Sequence, residues 1–130
     1  MARDSSSEKR TLAEGRHLTF VVRNGWEFVE RPNASGIAVV VGPTQSGCLV
    51  LVTQWREPVK AWVVELPAGL AGDRPGNENE ALAEAARREL LEETGFAAVS
   101  MEPVLSGPPS PGISHEVVTC FRARGLARVG

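Results

Sequence analysis

Arg88-Glu-Leu-Leu-Glu-Glu-Thr-Gly95 is the stretch on which the reading of this 130-residue chain turns. From Glu80 onward the apolar positions Ala81, Leu82, Ala85, Leu90 and Leu91 recur among Glu and Arg, with neither Gly nor Pro before Gly95. That spacing predicts a helix, because apolar residues three and four apart line one side. Gly95 suits the left-handed residue that closes a helix. Ala86, Leu90 and Leu91 are placed on a side that packs against a sheet. Glu89, Glu92 and Glu93 stand at i, i+3 and i+4, so their carboxylates share the opposite side, where like charges repel by roughly a few tenths of a kcal/mol per pair. A hard divalent cation relieves that repulsion, since Mg²⁺ takes oxygen ligands and leaves positions for phosphate and water. A Glu/Arg helix turned to solvent carries the same composition. Arg88, one turn after Glu84 and one before Glu92, is placed to clamp the carboxylates.

Working outward, the pattern changes from helical to alternating or continuous apolar runs. Leu18–Arg23 and Trp26–Glu30 flank Asn24-Gly25, a strong hairpin signal because both turn positions need positive φ. Gly36–Val41 and Cys48–Val52 are nearly continuous apolar runs and predict central strands covered on both faces. Ala61–Leu66 predicts another strand, ended by Pro67, and Leu70–Asn79 is loop chemistry. Past the helix, Phe96–Leu105 predicts a strand, Ser106–Ser114 a Pro-rich loop and Glu116–Ala123 a further strand. Met1 to about His17, with three consecutive serines and mixed charges, predicts a flexible arm or a short helix. Strands, one strong helix, then strands again make one α+β domain with a mixed sheet over residues 1–130.

Composition bounds the function. Apolar residues make up 42%, enough for a core, and 14 basic against 16 acidic residues give a net charge of −2. That balance argues against a dedicated nucleic-acid binder. No run of about 18 apolar residues exists to form a membrane helix. The first 16 residues show neither a signal-peptide core nor a lipidation motif, so the expected compartment is cytoplasmic. Cys48 and Cys120 form no CxxC and sit in apolar runs, where a free Cys is a small buried hydrophobe.

Together, Glu65-Leu-Pro-Ala-Gly69, Glu80 and Arg88-Glu-Leu-Leu-Glu-Glu-Thr-Gly-Phe96 closely resemble the Nudix box. That pattern runs Gly, five residues, Glu, seven residues, then Arg-Glu-aliphatic-x-Glu-Glu-x-Gly-aliphatic. Its second half matches from Glu80 onward, with Phe96 for the last aliphatic residue. Its first half departs: Arg74 stands where Gly is expected, and ten residues separate Gly69 from Glu80. The simplest reading is an insertion of about five residues in Leu70–Asn79. The resemblance implies an α/β/α sandwich that hydrolyses a nucleoside diphosphate linked to another moiety. It makes Glu89 and Glu93 metal ligands, Glu92 a further ligand or water partner, and the Ala68 carbonyl an additional ligand. It implies Mg²⁺, or Mn²⁺, as cofactor. Glu92, Glu93 and Arg88 are the expected catalytic residues.

Outside the box the chain looks most like ADP-ribose pyrophosphatases, over about Leu18 to Leu126. Trp26-Glu-Phe-Val-Glu-Arg31 is similar to a segment whose Trp stacks on adenine and whose Arg contacts the nucleotide. Gln54-Trp-Arg56 resembles one whose Arg reaches the phosphates, and Ser110-Pro-Gly-Ile-Ser-His-Glu116 brings Glu116 near the substrate. Each has a plainer reading: half-buried packing for Trp26, a rim salt bridge for Arg56, a surface residue for Glu116. His115 is assigned nothing. The implied reaction converts ADP-ribose to AMP and ribose 5-phosphate. The alternatives are another nucleotide sugar or a nucleotide-binding module without hydrolysis. Members of the family continue past Gly125-Leu126 into an acidic loop with a candidate base, whereas nothing after Glu116 is acidic here. Water activation then falls to the metal with the helix glutamates, or to Glu116. The resemblance also implies a homodimer built on the N-terminal strands, with Trp26 near the interface.

Overall fold

Asn24 and Gly25 take φ of 52° and 77°, so the chain reverses where the Asn-Gly pair predicts. Residues 8–72 and 81–129 are described in the computed structural model. Arg10–Glu14 (β1), Thr19–Arg23 (β2) and Trp26–Glu30 (β3) form an antiparallel meander in the order β1-β2-β3. β1 falls within the expected arm. All five of its residues are exposed, so no apolar periodicity announced it. Its backbone pairing with β2 supplies the order, as an open strand edge invites.

Gly36–Val41 (β4) is a central strand, with Ala38 and Val40 fully buried. The run Cys48–Val52 behaves otherwise. Cys48 is consumed by a turn, its N–H donating to Thr44 Oγ1 at 3.0 Å and its carbonyl accepting from Thr44 N at 2.7 Å. Leu49 and Leu51 are about half exposed while Val50 packs on the core, so a continuous apolar string resolves into alternation. The strand forms later, as Val52–Arg56 (β5), and pairs antiparallel with Ala61–Glu65 (β6) around a short 3-10 turn at Glu57–Val59. Trp55 faces Trp62 across this ribbon, ring centres 6.0 Å apart and edge-on.

Ala68–Ala71 (β7) extends strand structure into the expected loop. Residues 73–80, which include the rest of that loop with Arg74 and the expected box residue Glu80, lie outside the described residues. Leu82–Thr94 (α1) follows and ends on Gly95 at φ 78°, whose N–H returns to the Leu91 carbonyl. Ala85, Ala86 and Leu90 are fully buried, whereas Leu91 is 44% exposed. Leu91 thus does not join the buried face, being rotated by one helical step from Leu90; Ala85 does. The expected strand from Phe96 splits into Phe96–Ala97 (β8) and Ser100–Gly107 (β9); Val118–Arg124 (β10) and Ala127–Arg128 (β11) complete the chain.

The main sheet has the order β7-β4-β10-β9, with β4 parallel to β10 and the other pairs antiparallel. The expected mixed sheet and α+β class therefore hold. α1 lies on it, burying Ala85, Ala86 and Leu90 against Ala38, Val40, Ala71, Phe121, Ala123 and Leu126. The many small side chains in this core let helix and sheet approach closely. At Gly36 an added Cβ would meet Leu82 Cδ2 at 3.0 Å. Both cysteines are free, and Cys48 is exposed rather than buried. Among the described residues no helix is long and apolar enough to cross a membrane.

Candidate active site

Helical spacing places Glu89 and Glu93 one turn apart on α1, beside β7. Arg88 donates from Nη1 to Glu89 Oε1 at 2.7 Å and from Nη2 to the Leu70 carbonyl at 3.0 Å, tying the helix to β7 through a carboxylate. The same Nη1 stands 3.5 Å from Glu92 Oε2. Arg88 and Glu89 are mostly buried, and Glu92 is 43% exposed.

Glu93 carries the sharpest electrostatic signature. Burial pushes its carboxyl pKa up; a backbone hydrogen bond from Ala68 opposes this, and the nearby charges of Glu89 and Glu65 add to it. Its Oε2 is buried without a hydrogen-bond partner among the described residues, an unusual state for a polar atom. Gly69, next to Ala68, faces Glu89 so closely that a Cβ there would overlap its carboxyl group. β7 and α1 therefore bring Glu89, Glu93 and the Ala68 main chain together. Among the described residues no three acidic or His side chains close a metal cage on their own; Glu92 leans to Arg88 instead. Two carboxylates, a main-chain carbonyl and water match the sparse protein ligation that Mg²⁺ accepts, and the orphaned Glu93 oxygen is the donor such an ion would satisfy.

Arg56 takes part in this region through Glu65. Its Nε and Nη2 each donate to that carboxylate at 2.6 Å, which raises the Arg56 pKa and lowers that of Glu65. Its side chain remains 46% exposed.

Trp26, Arg31 and Glu116 form a second group. The segment 110–116 lies along the free edge of β3: Val29 N–H donates to the Ile113 carbonyl at 2.8 Å and His115 N–H to the Val29 carbonyl at 3.4 Å. Trp26 Nε1 donates to the Gly112 carbonyl at 3.0 Å, leaving its ring 52% exposed. Arg31 Nε stands 3.5 Å from Glu116 Oε2. Between them opens a cleft of about 190 Å³ lined by Arg31, Ser35, Ile37, His115, Glu116 and Val117. His115, unassigned from the sequence, accepts from the Arg31 N–H through Nε2 at 3.3 Å. It also borders the hollow over Trp26 and Phe28. Only the loop's return to β3 reveals it.

The two groups sit at successive points of β4. Ile37 lines the cleft, and Val39 pairs with Ala68. Ile37 and Val39 are two residues apart on that strand, roughly 7 Å.

The NUDIX domain pattern matches residues 30–128. The chain is 36% identical to the ADP-ribose pyrophosphatase of Bacillus subtilis (strain 168) over 133 aligned positions, 94% of this chain and 69% of that one. It is 34% identical over 102 residues to the methanol dehydrogenase activator of Bacillus methanolicus, covering 78% of this chain and 51% of that protein. An ADP-ribose pyrophosphatase of Mycobacterium tuberculosis is 34% identical over 98 residues, 73% of this chain and 44% of its own length. The chain thus spans between 44% and 69% of the length of these relatives. A crystal structure of an ADP compounds hydrolase superposes with a TM-score of 0.74 at 22% identity, over 95% of this chain and 68% of the other; that likeness shows the fold.

Proposed function

The chain belongs to the NUDIX domain family, and we propose that it is a Mg²⁺-dependent hydrolase of nucleoside diphosphates linked to a second moiety, with ADP-ribose giving AMP and ribose 5-phosphate. The observation that carries this reading is the buried, unpartnered Glu93 Oε2 beside Glu89. A carboxylate oxygen kept in that state loses hydration with no donor of its own in return, which a bound cation offsets. Two of the relatives described above are named ADP-ribose pyrophosphatase, which favours ADP-ribose. The cleft at Ile37 and the carboxylates beside β7 flank neighbouring positions of β4, an arrangement that suits a substrate whose diphosphate joins a nucleoside.

Glu89, Glu93 and the Ala68 carbonyl would hold the ion; Mn²⁺ would serve as well. When bound, it would supply positive charge to the diphosphate oxygens and to the attacking water. The protein's own groups do the rest. Arg88 keeps Glu89 in one rotamer, so the site does not reorganise as charge develops. Glu92, half exposed and on the same side of α1, accepts the proton of the attacking water. Trp26 offers a flat ring to the base, Arg31 and Glu116 fix the nucleoside, and Arg56 meets the phosphates.

We place the protein in the cytoplasm as a homodimer formed through β1 to β3, with no nucleic-acid or membrane partner. Leu12, Phe20 and Trp26, all exposed on that sheet, support the dimer. Light scattering should give twice the 13.9 kDa chain mass; a monomer at micromolar concentration rejects it. The activity is tested by incubating pure protein with Mg²⁺ and a panel of nucleoside diphosphate sugars. ADP-ribose should yield AMP and ribose 5-phosphate. A folded protein that turns over no member of the panel is not this enzyme.

A further inference from the structure

The Arg56–Glu65 pair is not the one that strand register favours. Arg56 lies opposite Ala61, and Glu65 lies opposite Val52 at the other end of the ribbon. For the guanidinium to meet Glu65 at 2.6 Å twice, the Arg56 side chain must run back along the ribbon. That direction leads through Leu66 and Pro67 to Ala68, whose backbone holds Glu93, and to Gly69, which abuts Glu89. Glu93 senses both partners: Glu65 raises its pKa and Arg56 lowers it.

A guanidinium has five N–H donors. Glu65 uses Nε–H and one on Nη2, which leaves three others on a half-exposed side chain. Unpaired, Arg56 would distribute over many rotamers, an entropy that a ligand would have to overcome on binding. A two-point pair fixes both the plane and the direction of the group. We propose that Glu65 is a positioning residue that holds Arg56 against the rim of the Glu89/Glu93 site, presenting its remaining donors to the substrate's diphosphate. This rests on the hydrolase reading above. An opposite role, in which Glu65 occupies Arg56 and competes with phosphate, makes the contrary prediction.

Calorimetry of ADP binding in the presence of Mg²⁺, which needs no turnover, separates these roles. Glu65→Gln and Arg56→Ala should each weaken ADP binding about tenfold, the scale of one lost charge-assisted contact. The double variant should be no weaker than Arg56→Ala alone, because the two act as a unit. Arg56→Lys should not restore binding, since a lysine cannot fork. Melting temperatures should barely move, an exposed ion pair contributing little to stability. Glu65→Gln that binds ADP as tightly as the parent, or more tightly, overturns the proposal. So do additive losses, or a parent protein that binds no ADP. A parent that binds ADP yet leaves ADP-ribose whole overturns only the hydrolase reading, and the comparison of variants still decides this one.

Discussion

Gly69 and Glu89 occupy one space between them: the glycine on β7 leaves the volume that the Glu89 carboxyl fills on α1. Gly69 has no positive φ, so its conformation suits any residue and the missing side chain is what matters. Gly69→Ala should therefore displace Glu89 and its Arg88 partner without upsetting the backbone. Activity should fall by at least tenfold while circular dichroism stays native. Retention of full activity would show that Glu89 is not needed where it stands.

Metal should stabilise the fold through the same carboxylates. A ligand bound only to the native state at a hundredfold excess over Kd contributes about 2.7 kcal/mol, several degrees in Tm for a domain this size. Millimolar Mg²⁺ should deliver such a rise, greater with ADP-ribose present and reversed by a chelator. NaCl at equal ionic strength should not reproduce it. Glu93→Gln should lose most of the metal-dependent part and lower kcat by orders of magnitude.

Acid titration gives a separate check on Glu93. Its carboxyl pKa is raised in the folded protein, chiefly by burial, so the folded state favours the protonated form. The stability this confers is complete below the ordinary value of 4.5 and is lost as pH climbs through the folded value. Metal-free Glu93→Gln should match the parent in Tm at pH 3.5 and exceed it at pH 7. The opposite ordering would mean that Glu93 is held charged by a donor.

Trp26 is fastened at its indole nitrogen but presents its ring to the hollow bordered by Phe28 and His115. A ring that holds the base equally in ground and transition states affects binding more than chemistry. Trp26→Ala should raise KM for ADP-ribose about tenfold and leave kcat within a few-fold, and Trp26→Phe should recover most of the loss. A fall confined to kcat would place Trp26 elsewhere in the mechanism.

Much of this arrangement was legible in the sequence because local rules govern it. Asn24-Gly25 dictated a turn by its φ requirements, the spacing of Ala81, Leu82, Ala85, Leu90 and Leu91 a helix, and Gly95 its end; of the face assigned to the sheet, Ala86 and Leu90 are buried and Leu91 is not. The clustering of Glu89 and Glu93 followed from helical pitch alone. β1 was hidden because its residues are solvated on every side, and β5 because Leu49 and Leu51 are apolar without being buried. With β5 placed too early in the chain, the back-reaching pair of Arg56 with Glu65 could not be seen. His115 needed the path of the 110–116 loop, which no periodicity encodes.

The parallel pairing of β4 with β10 has a bearing on how the protein is made. It joins Ile37 to Val118, roughly eighty residues apart along the chain, a contact whose loop-closure entropy makes it slow to form. β4, β7 and α1 are closer in sequence and can associate first, as an open half with Phe121, Ala123 and Leu126 still missing from its core. Until residues 118–126 emerge, this half lacks the side chains that complete the core on which α1 packs. The arrival of residues 118–126 closes the core and fixes the spacing of β7 and α1 on which Glu89 and Glu93 depend. Ion affinity should consequently be acquired only once residues 118–126 have emerged, after Ala68, Glu89 and Glu93 are all already present.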